Sequence, residues 1–291
     1  MKKKIFALGF FDGVHLGHQS LLSACCQLAT EYECIPTAVT FDLPPSAVLQ
    51  NQQPHMLNTV LDRELLLRQN GMKDILLLKA DSTTLSMSWT SFLEMLLSEG
   101  AAGFVCGYDY RFGHKGEGAA QKLAEFAAER ALPWVIVPEQ VMDGEKISST
   151  RIRALLEKGD VENANRLLGH PHVLTGTVVS GQHLGRTIGV PTANLRLPKE
   201  LLTLALGVYA CTAHVDGHIY VAVTNIGTRP TVDGQGVTVE PWILDFNGDL
   251  YGKEITLHFH KFLRPEQKFK NLEDLKVQIQ KDATETYKLL K

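Results

Sequence analysis

The residues best suited to chemistry stand near the front of the chain. Phe10-Phe11-Asp12-Gly13-Val14-His15-Leu16-Gly17-His18 follows a short apolar run, Ile5 to Leu8, and precedes a helical pattern from Gln19 to Ala29. A strand feeding a helix presents unpaired backbone N–H groups and the positive end of the helix dipole, which suits an anion. A spacing of three puts His15 and His18 on one face of the first turn. Gly17 removes a side chain where a nucleotide would approach the backbone closely. The pattern reads as two imidazole donors and several amides aimed at one polyphosphate. The plain alternative is two ordinary polar residues at a helix start. A zinc pair is disfavoured, because no third and fourth ligand stands at a usual spacing.

Three further stretches carry side chains of similar promise. Gly107 to Gly118 mixes glycines, aromatics and both charge signs around Asp109, Arg111 and Phe112, as a loop over a planar, phosphorylated ligand would, or as a long exposed loop would. Lys146-Ile147-Ser148-Ser149-Thr150-Arg151-Ile152-Arg153 opens a helix, where hydroxyls, N-terminal amides and Arg153 would gather on phosphates as well as cap the helix. Gly176 to Leu195 holds Gly181, Gly185 and Gly189, whose amides would cup phosphate in a flexible loop, or a plain hairpin loop. It ends in Pro191-Thr192-Ala193-Asn194, where two oxygens spaced by two in an extended segment face one way and suit a hard cation.

The elements that must position these groups fall into two kinds. Strand runs at Cys34 to Phe41, Asp74 to Ala80, Gly103 to Gly107 and Pro133 to Pro138 alternate with helical patterns at Asn58 to Gln69, Trp89 to Glu99 and Ala119 to Ala131. Asn58 stands where an N-cap would, and Gly71 where a stop would. Near-continuous apolar strands separated by helices predict a parallel sheet covered on both faces, with ligands at the strand carboxyl ends. No P-loop G-x-x-x-x-G-K-[ST] occurs, so phosphate must be held another way. After helical segments at Arg151 to Glu157 and Val161 to Leu168, Gly169-His170-Pro171 marks a boundary. Beyond it come alternating β-branched runs: His172 to Val179, Gly207 to Val215, His218 to Asn225, Val237 to Phe246 and Glu254 to Phe262. With turns between them these predict a small antiparallel barrel, followed by a charged helix from Leu272 to Leu290. The expectation is α/β plus β: a Rossmann-like domain at 1–170 and a barrel domain at 171–291.

Composition narrows the class. The 291 residues are 44% hydrophobic and 21% charged, with a formal net charge of -3, which offers no basic footprint for nucleic acid. No stretch approaches the ~20 apolar residues of a membrane span. Lys2-Lys3-Lys4 before an apolar run resembles a signal peptide, but Asp12 ends the run early. Five cysteines, odd in number and without a C-x-x-C, read as the reduced thiols of a cytoplasmic protein. Oligomeric state is not legible here.

Taken in order, Gly9-Phe10-Phe11-Asp12-Gly13-Val14-His15-Leu16-Gly17-His18, Gly107-Tyr108-Asp109-Tyr110-Arg111-Phe112-Gly113 and Ile147-Ser148-Ser149-Thr150-Arg151-Ile152-Arg153 resemble the N-terminal module of the bacterial bifunctional riboflavin kinase/FAD synthetase family. Gly176 to Leu195, Asn225-Ile226-Gly227-Thr228-Arg229-Pro230-Thr231, Glu240 and Phe262-Leu263-Arg264-Pro265-Glu266 resemble its riboflavin kinase module. The resemblance spans nearly the whole chain. It implies FMN adenylyltransferase activity in 1–170 and riboflavin kinase activity in 171–291, with riboflavin, FMN and FAD as substrates or products, ATP as co-substrate and Mg2+ as cofactor. By position it implies that His15 and His18 act at the reacting phosphate. Gly9, Phe10, Asp12, Gly17, Asp109, Ser149, Thr150 and Arg153 would line the adenylylation nucleotide, and Arg111 and Phe112 its flavin. In the kinase half, Gly181, Gly185 and Arg186 would bind nucleotide, Thr192 and Asn194 the metal, Glu240 would be the base, and Arg264 would hold the flavin or its new phosphate.

The match has departures. Phe10 replaces a usual Asn, and Leu43-Pro44-Pro45 replaces Pro-His-Pro, so a histidine of the adenylylation site is missing. Lys146 replaces Arg, Gly116 replaces a basic residue, and Pro241-Trp242 follows Glu240 where a small residue and His are frequent. Two rival readings follow: a riboflavin kinase with impaired adenylylation, and a non-catalytic flavin-binding sensor. Against the sensor, His15, His18, Thr192, Asn194 and Glu240 are all present.

Overall fold

In the computed structural model, which describes residues 2–179, 190–231 and 234–291, five strands run parallel in the front half. The chain begins β1 (Lys4–Leu8), α1 (Leu16–Glu31), β2 (Ile35–Phe41), α2 (Pro45–Leu49), α3 (Val60–Gln69) and β3 (Asp74–Leu78). It continues through α4 (Ser82–Leu85), α5 (Trp89–Ser98), β4 (Ala101–Gly107), a small hairpin of β5 (Arg111–Phe112) and β6 (Gly118–Ala119), α6 (Ala120–Glu129) and β7 (Trp134–Val137). A second small hairpin, β8 (Val141–Met142) and β9 (Glu145–Lys146), leads to α7 (Ser149–Glu157) and α8 (Val161–Leu168).

The sheet order is β3-β2-β1-β4-β7, so the chain reverses its direction of travel between β1 and β4. Such a reversal opens a crevice beyond the strand carboxyl ends, because the following loops diverge to opposite faces. Leu8, the last residue of β1, pairs with Val39 on one side and Cys106 on the other. The loops after β1 and β4, carrying His15 to His18 and Asp109, therefore flank that crevice. Phe6, Leu8, Phe92, Leu96, Phe104, Leu123 and Phe126 form the core between the sheet and helices α5 and α6. Burying side chains of this size at about 25 cal/mol per Å² holds the sheet rigid beneath its loops.

The second half holds β10 (His172–Val179), β11 (Asn194–Arg196), β12 (Gly207–Val215), β13 (His218–Thr231), β14 (Gly234–Ile243) and β15 (Glu254–Pro265), closed in the order β10-β11-β14-β13-β12-β15, and then α9 (Leu272–Leu290). Among the described residues, closure gives each strand of this barrel a neighbour on both sides. Val208, Val223, Leu244 and Ala283 form a core that ties α9 to the barrel wall. Asn271 caps α9 by accepting the Asp274 N–H at 2.8 Å.

The α/β plus barrel architecture matches the sequence expectation. The chain separates into two compact units, Met1–Met56 with Val60–Ser149, and Leu57–Thr59 with Thr150–Lys291. Helix α8 packs within the second unit, where the Asn165 amide donates to Phe259 O at 2.8 Å and its carbonyl accepts from His172 N at 2.8 Å. Asn58 does not cap α3. Its amide donates to Val173 O at 3.0 Å inside the second unit, a tertiary bond that outcompetes the local role. Gly71 does end α3, with φ at +92°. Among the described residues no helix is long and apolar enough to cross a membrane.

Candidate active sites

The front site is built on a strained turn. Phe11 takes a left-handed conformation (φ 58°) and is fully buried, and Val14 follows at φ 40°. Non-glycine residues adopt such angles only where the surroundings over-determine them. Gly9 makes the turn possible, because a Cβ there would meet the Phe11 ring at 2.9 Å. The turn delivers His15 to the N-cap of α1, where its Nδ1 accepts the His18 N–H at 3.3 Å. An accepting Nδ1 places the His15 proton on Nε2. The two imidazoles stack with centroids 3.7 Å apart and planes 13° from parallel, and the Phe11 ring meets His18 edge-on at 5.3 Å.

Burial, then the neighbouring His15, then the Arg63 guanidinium push the His18 pKa well below its usual value. His18 is therefore neutral at physiological pH, and its Nδ1 is buried without a hydrogen-bond partner. An anion arriving at the helix N-terminus would reverse the balance by favouring imidazole N–H donors. Gly17 has a role beyond ligand access: a Cβ there would stand 3.2 Å from His15 Cε1 and Nδ1, so glycine leaves room for the imidazole. Asp12 is buried, and its backbone carbonyl accepts from Ser149 Oγ at 3.0 Å, which binds the end of the Ile147-Ser148-Ser149 stretch to the turn.

Arg63 is the residue that sequence reasoning missed. On α3 it reads as an ordinary helix charge, yet it is only 1% exposed. Its Nη1 donates to Phe10 O at 3.2 Å and its Nη2 to Phe41 O at 2.5 Å, bridging the ends of β1 and β2. The guanidinium also lies 4.4 Å over the Phe10 ring. Burial lowers its pKa to about 10, and the charges of Asp12, Asp42 and Glu64 oppose that shift. Phe10 thus supplies a ring for a buried cation.

Across the crevice, Lys146 Nζ bonds Asp109 Oδ2 at 2.5 Å and Tyr108 OH at 2.8 Å, and Tyr108 donates to Glu139. Asp109 and Tyr108 raise the Lys146 pKa, so the ammonium persists at this position. Arg111 is exposed on β5. The Phe112 ring is buried, stacked with Tyr110 at 5.7 Å and packed on Phe92, and Gly118 is required because a Cβ there would meet the ring at 2.7 Å. Phe112 thus anchors the hairpin that carries Arg111. The half-buried Arg153 and the exposed Thr150 lie on α7 within the second unit.

Two cavities of the barrel unit share Thr192. One, of about 430 Å³, is lined by Val178, Pro191, Thr192, Pro241, Asp249 and Tyr251 among others. The other, of about 460 Å³, is lined by Thr192, Asn225, Glu240, Trp242, Arg264 and Phe269 among others, with the face of α9 as one wall. Asn225 and Glu240 stand opposite each other on β13 and β14. Gly227 is needed because a Cβ there would lie 2.4 Å from Glu266 Oε1. Asn194 begins β11, paired with Val179, two residues from Thr192. Thr192 and Asn194 offer neutral, hard oxygens, the donor set that Mg2+ accepts when substrate phosphates supply the negative charge. Gly181, Gly185 and Arg186 lie outside the described residues.

Arg264 points toward α9. Its Nε and Nη2 bond both carboxylate oxygens of Asp282 at 2.8 to 3.2 Å, and Gln278 donates to the same carboxylate at 2.8 Å. Neither α9 residue carried a sequence signal, since both read as solvated helix positions.

Two family models match the chain in succession. The FAD synthetase family model matches residues 1–151, and the riboflavin kinase family model residues 168–290. The bifunctional riboflavin kinase/FMN adenylyltransferase of Listeria monocytogenes serovar 1/2a is 38% identical over 97% of this chain and 91% of its own length. The proteins of the same name from Bacillus subtilis (strain 168) and Escherichia coli (strain K12) are 35% and 33% identical over 97% and 96% of this chain, and 91% and 90% of their own lengths. A solved structure described as a macrolide-efflux protein from Streptococcus pneumoniae superposes with a TM-score of 0.87 at 32% identity, covering 98% of this chain and 94% of that one.

Proposed function

The chain belongs to the bifunctional riboflavin kinase/FMN adenylyltransferase family, and from that membership we propose how its two halves divide the work. Residues 171–291 phosphorylate riboflavin to FMN, and residues 1–170 adenylylate FMN to FAD with release of pyrophosphate. The observation that carries the reading is the pair of built sites: stacked neutral histidines at a helix N-terminus in one unit, and two cavities meeting at Thr192 in the other.

In the adenylylation site an FMN phosphate oxygen attacks the α-phosphorus of ATP in line, and the bond to pyrophosphate breaks. No covalent enzyme intermediate is needed, so catalysis is positioning and charge stabilisation. The His15 Nε2–H, an N–H of His18 and the first amides of α1 supply donors where charge grows. Gly9, Phe10, Asp12, Gly17 and Ser149 shape that end of the crevice. Lys146 holds Asp109 toward the nucleotide, and Arg111 faces the flavin on the hairpin that Phe112 anchors.

In the kinase site the cavity beside Asp249 and Tyr251 takes ATP, and the larger one takes the flavin. Glu240 accepts the proton of the ribityl 5′-hydroxyl as that oxygen takes the γ-phosphoryl group and ADP leaves. Mg2+ would be held by Thr192 and Asn194, and when bound it neutralises charge on the transferring phosphate. Gly181, Gly185 and Arg186 complete the nucleotide site, and Arg264 holds the flavin. The protein works in the cytoplasm on these small molecules, without nucleic acid or membrane.

The test is chromatography of products after incubation with riboflavin, ATP and magnesium, and separately with FMN. FAD from both incubations is the expected result. FMN accumulating without FAD would remove the adenylylation half of the reading, and no turnover would remove both.

A further inference from the structure

The hairpin that carries Arg111 is fastened at a second place, away from the Phe112 ring. Its turn lies flush on the first residue of α5: a Cβ at Gly113, where φ is +74°, would stand 2.6 Å from the N and Cα of Trp89. The His114 N–H donates to Met87 O at 2.7 Å, just ahead of that helix. Glu117 then reaches back across 28 residues of sequence, and its Oε1 accepts the Trp89 N–H at 2.9 Å. That N–H is one of the donors a helix start leaves unpaired, and the positive end of the helix dipole favours a carboxylate there. Ser88 Oγ serves another, accepting from the Ser91 N–H at 3.1 Å, so α5 has a local cap and Glu117 adds a tertiary one. Lys122 Nζ donates to Glu117 O at 2.9 Å and lies 5.3 Å from the centre of the Trp89 ring. That ring in turn meets the buried Phe126 edge-on.

The hairpin needs such a fastening. Its ladder pairs only Arg111 with Ala119 and Phe112 with Gly118, and so short a two-stranded hairpin does not hold itself together in water. Its turn passes through Lys115 at φ 52°, a left-handed angle that a lysine adopts only under constraint. We infer that Glu117 is a positioning residue of the adenylylation half: its carboxylate latches the β5–β6 hairpin onto the N-terminus of α5 and so holds Arg111 in place for the flavin. Glu117 acts through the hairpin and not on the substrate. Where the docked hairpin is only a fraction of the population, the apparent affinity for FMN falls by that fraction, and saturating FMN draws the hairpin back. Loss of the latch therefore raises the FMN KM and spares kcat. The inference deepens the reading of Arg111 as a flavin contact, made above, and rests on it.

The test uses the full chain, with pyrophosphate release from FMN and ATP as the readout and ADP release from riboflavin and ATP as the control. Glu117→Ala should raise the FMN KM roughly three- to tenfold, with kcat, the ATP KM and ADP release all within about twofold. Glu117→Gln keeps an acceptor for the Trp89 N–H and should bring the FMN KM most of the way back. Glu117 is exposed, so both variants keep the fold. An equal fall in kcat, or an equal rise in the ATP KM, would make the residue merely structural and overturn the inference. Arg111→Ala separates the two levels. If it raises the FMN KM while Glu117→Ala does not, the latch fails alone; if it leaves the FMN KM unchanged, the flavin assignment of the hairpin fails and the latch with it. Added to Arg111→Ala, Glu117→Ala should raise the FMN KM by less than about twofold more, because both act on one contact. A full further rise would show that Glu117 does not act through Arg111 and would overturn the inference as well.

Discussion

Replacing Arg63 with Met isolates the buried cation beneath the adenylylation site. The guanidinium donates to Phe10 O at 3.2 Å and Phe41 O at 2.5 Å, and Phe10 O also accepts the Thr40 hydroxyl at 2.8 Å, so it keeps one partner when Arg63 is lost. Losing the bond to Phe41 O costs about 1–3 kcal/mol and losing one of two bonds to Phe10 O about 0.5–1.5 kcal/mol, roughly 2–4 kcal/mol together. Part of this is offset, because the substitution also removes a buried charge whose pKa of about 10 records its desolvation. A net loss of about 1–3 kcal/mol falls on the α/β unit, a sizeable share of the ~5–15 kcal/mol that holds a domain folded. At about 2–4 °C per kcal/mol, its melting transition should drop by roughly 2–12 °C. The ends of β1 and β2 would also part, displacing His15 and His18, so pyrophosphate release from FMN and ATP should fall at least tenfold at a temperature where the unit remains folded. ADP release from riboflavin and ATP should stay within about twofold. A melting shift below 2 °C, or equal loss of both activities, would refute the clamp.

Two further perturbations test the architecture. Gly17→Ala places a Cβ 3.2 Å from the His15 ring, which must yield by a few tenths of an ångström; FAD formation should fall about tenfold with ADP release unchanged, and equal rates in both assays would show the ring has slack. His172 is 1% exposed with both ring nitrogens unpartnered, and burial lowers its pKa from 6.5 to about 3. Because the unfolded chain takes up this proton below pH 6.5 and the folded barrel refuses it until about pH 3, stability is complete above 6.5 and is lost as pH falls. About 2 kcal/mol should be gone at pH 5. Burial also lowers the pKa of His258 to about 4, so urea midpoints at pH 5 and pH 7.5 should draw closer in His172→Leu by the His172 share while staying apart, and an undiminished acid loss in that variant would place the titrating group elsewhere.

Much of the architecture was legible because its signals are local. Apolar runs such as Ile75 to Leu78 and helical periods such as Trp89 to Ser98 carry their own geometry. Register is not local: β13 continues past Asn225 to Thr231 because its pairing with β14 persists through Gly227 and Thr238. Pro45 reads as a loop residue, yet it opens α2, where a missing N–H costs nothing. The same limit governs the sites. His15, His18, Thr192 and Glu240 stand in motifs that name them. Arg63 and Asp282 sit on helices whose sequence gives them no distinction from solvated charges, and only tertiary packing buries them. Phe112 shares a motif with Arg111 but points into the core, a distinction that a two-residue hairpin settles.

The central claim is that two separate sites perform two separate transfers. Its most direct measurement compares Glu240→Gln and His18→Ala, with ADP release from riboflavin and pyrophosphate release from added FMN followed in each. Glu240→Gln should abolish ADP release and leave pyrophosphate release intact, while His18→Ala should do the reverse. Loss of both activities in either variant, or retention of both, would contradict the division of labour.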